Sequence, residues 1–283
     1  MKTQSTQIKP PLAFGKLMVI GAACLALQSA QATTLFSESF NYATGNLGGN
    51  VNPGSTVAWT GNTTNLTVVS PGLSYAGLAN PGGNALDVLN GAATTTINTY
   101  SAVTSGQIYY SFLLDITALP TGNSYLTALN PGTSSPNGSS DALDIYINST
   151  GTLSMRTGSA YSSATAALSL NTTYLVVLEY DFGATLGSLY LNPDSSTFGA
   201  LTAPTATQTK APTTIPTSIA NVGFKAQSTA GANYIVDNLL IGTTWADVTP
   251  PAAVPEPATL ALAMLGGLGL LGFRSRFRNP NRQ

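Results

Sequence analysis

The chain contains no histidine, one cysteine and very little charge: ionisable acids and bases make up 7% of its 283 residues, against roughly a quarter in an ordinary soluble protein. Without histidine there is no Ser-His-Asp triad and no ordinary zinc site. A single cysteine, Cys24, leaves no disulfide scaffold. No glycine-rich loop followed by lysine is present to cradle a phosphate. A coiled coil or helical bundle needs far more charge, and a nucleic-acid binder needs basic patches that are missing here. Serine and threonine are abundant, roughly a quarter of the chain, together with 28 glycines and 17 prolines. Hydrophobic residues reach 43%, enough to bury a core and to argue against wholesale disorder. The length suits one large domain or two small ones.

The charge is unevenly spread. Residues 1–32 carry Lys2, Lys9 and Lys16 with no acid, and residues 251–283 carry four arginines against Glu256, so each end is +3. Residues 33–250 hold ten acids and only Arg156, Lys210 and Lys225, which makes −7. The first end has a basic start, an apolar stretch over 17–27 and the small-x-small site Ala30-Gln31-Ala32. This is the pattern of a secretory signal peptide over 1–32, with cleavage expected after Ala32. An apolar run of about 11 residues is too short to span a bilayer, which needs about 20. Cys24 falls within the segment, so the exported chain would keep no cysteine.

The other end has three parts in order: Val254-Pro255-Glu256-Pro257, an apolar run over 258–273, and a basic cluster with Arg274, Arg276 and Arg278. A 258–273 helix is expected to enter the membrane and stop there, with the arginines and the tail 279–283 on the cytoplasmic side. A buried helix is a poor alternative, because residues 260–271 are apolar on every face. This tripartite tail, 254–278, resembles the PEP-CTERM sorting signal of Gram-negative bacteria. The resemblance implies that an exosortase, a membrane-embedded processing enzyme, reads the signal and releases the body to the envelope or to extracellular polysaccharide. Glu256 is then a recognition element, with no catalytic part in this protein. Residues 250–253 read as a Pro-rich spacer.

Between the two ends, 33–249 shows short runs of period-2 alternation broken by Gly, Pro, Asn and Asp. In 107–116, Ile108, Tyr110, Phe112, Leu114 and Ile116 form one face, and in 143–148 Leu143, Ile145 and Ile147 alternate with Asp144, Tyr146 and Asn148. Further strands are expected at 34–41, 56–60, 65–69, 85–89, 93–98, 124–129, 152–157, 174–182, 186–192, 219–225 and 233–241. No window carries a convincing amphipathic helix. The fold class is therefore all-β, an antiparallel β-sandwich flanked by a signal peptide and a C-terminal transmembrane helix. Residues 148–152 predict a hairpin turn with Gly151 at positive φ. That register places Asp144 opposite Arg156 as a cross-strand ion pair on the surface. Residues 202–218, interrupted by three prolines, read as an extended surface loop.

Three stretches, 35–48, 174–194 and 234–250, resemble the concanavalin A-like lectin/glucanase domains of LamG type. That resemblance implies a jelly roll of two stacked curved sheets, with a shallow groove on the concave one where relatives hold sugars. For chemistry, only carboxylates remain. Glu179 and Asp181 share one face of a strand about 7 Å apart, a spacing compatible with glycoside hydrolysis. The jelly-roll glucanases carry a second catalytic glutamate on that strand, and Phe182, Gly183 and Ala184 stand here instead. A solvated acidic strand end is the competing reading, and no catalytic residue is assigned. Asp141 and Asp144 near Asn137 could offer oxygens to Ca²⁺, but solvated turn acids are the commoner case; no metal site or cofactor is assigned. Tyr109 and Tyr146, expected outward, could stack on sugar rings. The candidate ligand residues are thus Tyr109, Asp144, Tyr146, Glu179 and Asp181. Trp59 and Trp245 are expected to cap the core.

The sequence leads to an exported β-sandwich of the envelope or exopolysaccharide, structural or carbohydrate-interacting, whose partners are an exosortase, polysaccharide and, through the tail, the membrane. Nucleic acid is excluded by the charge of the body. A jelly-roll glycoside hydrolase and an inert coat protein are the alternatives. Replacing Pro255-Glu256-Pro257 by alanines should leave the body held in the inner membrane, as cell fractionation would show; normal delivery of that variant would remove the sorting role.

Overall fold

Alternation decides what each strand buries. Ile108, Tyr110, Phe112, Leu114 and Ile116 are all fully buried in one core, as a period of two requires. The structure, a computed structural model, describes residues 34–53, 55–91, 94–130, 141–226 and 231–253. The segments expected to be the signal peptide (1–32) and the sorting signal with its membrane helix (254–278) lie outside the described residues, apart from the spacer that precedes them. Among the described residues no helix is long and apolar enough to cross a membrane.

In chain order the strands are β1 (Thr34–Glu38), β2 (Gly45–Asn46), β3 (Thr60–Gly61), β4 (Leu66–Val69), β5 (Ala85–Val88), β6 (Thr94–Val103), β7 (Gln107–Ala118) and β8 (Ser124–Asn130). They continue with β9 (Leu143–Ile147), β10 (Leu153–Thr157), β11 (Ala160–Tyr161), β12 (Thr173–Asp181), β13 (Leu186–Leu191), β14 (Gln208–Lys210), β15 (Ile219–Ala226) and β16 (Asn233–Gly242). One sheet of nine runs β14-β13-β12-β7-β16-β5-β4-β2, with β1 added on β16; a sheet of seven runs β11-β10-β9-β8-β15-β6-β3. Pairing is antiparallel throughout. Tyr110, Phe112, Val176 and Leu178 of the larger sheet meet Leu129, Ile145, Met155 and Phe224 of the smaller one in a single apolar cluster. Two antiparallel sheets closed on one core make a β-sandwich.

The outer face of the larger sheet is also covered. Tyr109, Leu113, Leu175, Val177 and Tyr190 pack there with Leu78, Phe198, Trp245 and Val248 in a second cluster. Trp245 opens a one-turn helix, α1 (Trp245–Val248), which Thr244 and Asp247 close with a reciprocal capping box. Its indole N–H donates to the Thr197 carbonyl at 2.9 Å. Trp59, by contrast, belongs to the main core.

The first and last strands tie the two ends of the body together. Residues 239–242 of β16 pair with β1 while 234–236 pair with β5. Where the partner changes, the β16–β7 register slips and Asn238 takes φ 50°. Buried Asp237 accepts the backbone N–H groups of Leu73 at 2.8 Å and of Asn238 at 2.6 Å. Only glycine fits at 72, because a Cβ there would stand 2.6 Å from the Asp237 carboxylate. Burial pushes the Asp237 carboxyl up to about 7, against the two backbone donors, which favour the ionised form. Glu38 of β1 is equally buried and accepts from the Phe40 N–H, the Tyr42 hydroxyl, the Asn52 amide and the Trp59 indole.

Two expectations need correction and one holds. The 148–152 turn forms with Gly151 at φ 78°, and Arg156 pairs with Asp144 in register. The ion pair, however, is not on the surface: the Asp144 side chain is 0% and that of Arg156 10% exposed. β9 is an interior strand, and tyrosine rings close over the guanidinium. The 202–218 segment is not wholly a loop, since β14 within it adds an edge strand to β13.

Arg156→Met should lower the unfolding free energy by about 3–5 kcal/mol by stranding a buried carboxylate. Adding Asp144→Leu should recover most of that loss in denaturant titrations; equal losses in the single and double variants would contradict it. A raised carboxyl pKa in the folded state means stability is greatest below the ordinary carboxylate pKa and declines as pH rises towards the folded value. Wild type should therefore lose stability relative to Asp237→Asn between about pH 4 and 7, and a pH-independent difference would contradict the assignment.

Candidate functional site

The strands of the smaller sheet bury Leu129, Ile145, Met155, Val222 and Phe224 inward, so the intervening residues point out. Across the sheet the register aligns Gly223, Ala128, Asp144 and Arg156 in one row. Asn221 and Asn130 are directly paired in the next row. Tyr125 and Tyr146 are paired on the other side. Small, buried residues at the centre thus separate a pair of buried amides from a group of rings and charges.

The charged part is tightly knit. The Arg156 Nε donates to Asp144 Oδ2 at 2.8 Å, and its Nη2 lies 2.7 Å from the same oxygen without the alignment of a second hydrogen bond. The Tyr125 hydroxyl donates to Asp141 and, at 3.3 Å, to Asp144 Oδ1. Burial first, and then the Asp141 carboxylate, hold Asp144 well above the ordinary carboxylate range, with Arg156 opposing both. The guanidinium stands over Tyr146, 5.0 Å from the ring centroid, and 5.7 Å from that of Tyr161. Tyr146 meets Tyr125 and Tyr161 edge to face at 5.0 and 5.4 Å. Lys225 lies over the Tyr125 ring at 5.4 Å. The outermost ring, Tyr161, is 44% exposed.

The amide part is unsatisfied. Asn130 and Asn221 are buried, at 1% and 0% exposure, and neither the Nδ2 nor the Oδ1 of either has a hydrogen-bond partner. They supply four of the eight buried side-chain atoms without a hydrogen-bond partner among the described residues. Each such group costs about 1–3 kcal/mol, so their collection on one face is a feature that packing alone does not explain.

The candidate residues named from sequence divide between opposite faces of the sandwich. Asp144 and Tyr146 belong to this cluster. Tyr109 does not point outward to solvent: it is buried in the second apolar cluster with its ring edge-on to Trp245 at 6.3 Å. Glu179, paired with Tyr109 in register, is buried beside it, and its carboxylate accepts the Tyr109 hydroxyl at 3.1 Å and the Tyr190 hydroxyl at 2.5 Å. Asp181 sits at the strand end, where it accepts the Gly183 and Ala184 N–H groups and the Gln107 amide. Those contacts, led by the Ala184 N–H, lower its carboxyl below the usual range. A solvated strand end describes Asp181 but not Glu179. Asp141 and Asp144 face a phenol and a guanidinium, and no group of three or more metal-ligating side chains occurs among the described residues; Asn137 lies outside them. Sequence reasoning missed Asn130, Asn221, Tyr125 and Tyr161, for which the only signal was a polar residue in the outward phase of a strand.

Residues 253–276 match the family profile of the PEP-CTERM protein-sorting motif. No curated protein matches the chain. Among solved structures the chain is similar to a mutant Trypanosoma rangeli sialidase displaying trans-sialidase activity, at 17% identity and TM-score 0.43, covering 72% of this chain and 32% of that one. It is similar to a further sialidase, at 12% identity and TM-score 0.45, over 73% of this chain and 19% of that one. The receptor-binding domain of botulinum neurotoxin type G matches at 10% identity and TM-score 0.44, over 76% and 48%. The chain spans less than half the length of each of these structures. At its C-terminus it carries a PEP-CTERM sorting motif, which implies export and processing by an exosortase.

Proposed function

We propose that the protein is an exported, exosortase-processed component of the cell surface or exopolysaccharide, whose concanavalin A-like body holds polysaccharide on the outer face of its smaller sheet. The observation that carries this reading is the buried, unpartnered amide pair Asn130 and Asn221 on the same sheet face as a shelf of tyrosines. A sugar hydroxyl both donates and accepts, which is what these amides need to pair both of their ends once the side chains that close them off from solvent part. Tyr161 and Tyr146 add ring surface for the apolar face of a sugar. The Asp144–Arg156 pair holds Tyr146 and Tyr161 in place by cation–π contact. The pairing of Arg156 with Asp144 also leaves little free positive charge for nucleic acid.

The reading is binding without cleavage. Glu179 is engaged by two tyrosine hydroxyls under the loops that cover the larger sheet, and Asp181 is spent on a turn. That arrangement supports a structural part for both carboxylates over a hydrolytic one.

Asn130→Leu and Asn221→Leu separate folding from binding. Removing unpartnered buried amides should leave thermal stability unchanged or raise it. Retention of the full-length protein on immobilised polysaccharide should fall by at least about tenfold. Variants that lose stability and keep full retention would overturn the proposal.

A further inference from the structure

Two depressions border the first strand and share no residue with the polar face. The first encloses about 340 Å³ and is walled by Ser37, Glu38, Asn41, Tyr42, Asn52 and Asn238, among others. The second, about 620 Å³, is walled by Phe36, Ser55, Thr56, Tyr100 and Ser101, among others. Pro53 borders both. Both volumes fall within the range of about 300–1,000 Å³ usual for small-ligand sites.

The walls select by charge. No lysine or arginine lines either depression, so an anion would meet the Glu38 carboxylate with no cation to offset it. A cation fares no better, because both oxygens of Glu38 are occupied: Oε1 accepts the Phe40 N–H at 2.7 Å, and Oε2 accepts Tyr42, Asn52 and Trp59 at 2.5, 3.0 and 3.0 Å. Glu38 therefore fixes the wall together with the Tyr42 hydroxyl and the Asn52 amide, while the Asn238 amide donates to the Ala79 carbonyl, which leaves ligand contact to Ser37, Ser39 and Asn41. What remains in the first depression is serine hydroxyls, the Asn41 amide, the Tyr42 ring and proline surface, a combination that suits hydroxyl-bearing rings with apolar faces. The backbone beside the first depression is also held in an unfavourable region, with Phe40 at φ 48° and Asn238 at φ 50°. A bulky side chain at positive φ is rare and is retained where the surroundings impose it, often next to a ligand.

We infer that the first of these depressions, the cleft beside Glu38, is a second binding site, for a short, uncharged saccharide, distinct from the sheet face and independent of it. Two sites on different sides of one body would let it bridge chains of a polysaccharide, gaining retention through linked binding events.

The test is calorimetric titration of the purified full-length protein with oligosaccharides from laminarin and from cellulose, and with an alginate-derived oligouronate. Ser37→Trp and Asn41→Trp plug the cleft at exposed positions, so folding should be preserved, with thermal unfolding as the check on both. Each should weaken binding of a neutral oligosaccharide by at least about tenfold, while Tyr146→Ala leaves that component intact and the oligouronate does not compete for it. Folded Trp variants that bind every neutral probe as wild type does, no binding by wild type, or equal occupancy by the oligouronate would each overturn the inference. Loss of binding in Tyr146→Ala alone would leave the sheet face standing and dismiss the cleft.

Discussion

A guanidinium and a carboxylate withdrawn from water organise the outer face of the smaller sheet. The body has only three basic residues, and one of them, Arg156, is committed to Asp144 at 2.7 Å with almost no exposure. Two buried ions cost several kcal/mol each in desolvation, a cost offset only by good geometry and further partners. Here the further partners are aromatic: Tyr146 and Tyr161 sit against the guanidinium, and Tyr125 bridges the neighbouring carboxylates. Such a pair adds little net stability compared with apolar residues, but it fixes where three tyrosine rings stand. The two amides that have no partner lie on the other side of the Gly223–Ala128 row from those rings.

The two outer faces of the sandwich have opposite fates. On the larger sheet, Tyr109, Tyr190 and Glu179 lie under Leu78, Phe198 and the α1 tryptophan, so polar groups there find partners within the protein. On the smaller sheet, comparable residue types leave donors and acceptors unpaired. The contrast explains why residue type alone is a poor guide to the site: tyrosines and acids occur on both faces, and only their partners distinguish structure from recognition.

Much of the sandwich was legible in the sequence because alternation is a local signal. The long strands β7, β12 and β16, and the β9–β10 register with Asp144 opposite Arg156, follow from period-2 runs and one glycine turn. Strands of two or three residues, β2, β11 and β14, carry too few positions to show a period, and they exist only because a neighbouring strand edge offers hydrogen bonds. Alternation also gave the side of the sheet on which Tyr109 and Glu179 lie, but not that residues distant in sequence would cover them. The burial of Asp144 escaped for the same reason: its strand is flanked on both sides by partners, a fact of sheet order. Nothing in the sequence marks Asn130 and Asn221, since their pairing joins strands far apart in the chain.

Export and recognition fit together physically. A body with no cysteine outside the expected leader cannot rely on disulfides, and its stability rests on two apolar clusters and a dense set of side-chain hydrogen bonds. Its surface, rich in hydroxyls and amides and poor in charge, resembles the polysaccharide it is proposed to meet. The side-chain NH₂ resonances of Asn130 and Asn221 report on that meeting most directly. On titration with a polysaccharide fragment that the protein retains, both pairs should shift and saturate together; resonances unmoved at saturation would contradict the sheet face as the place where sugar is held.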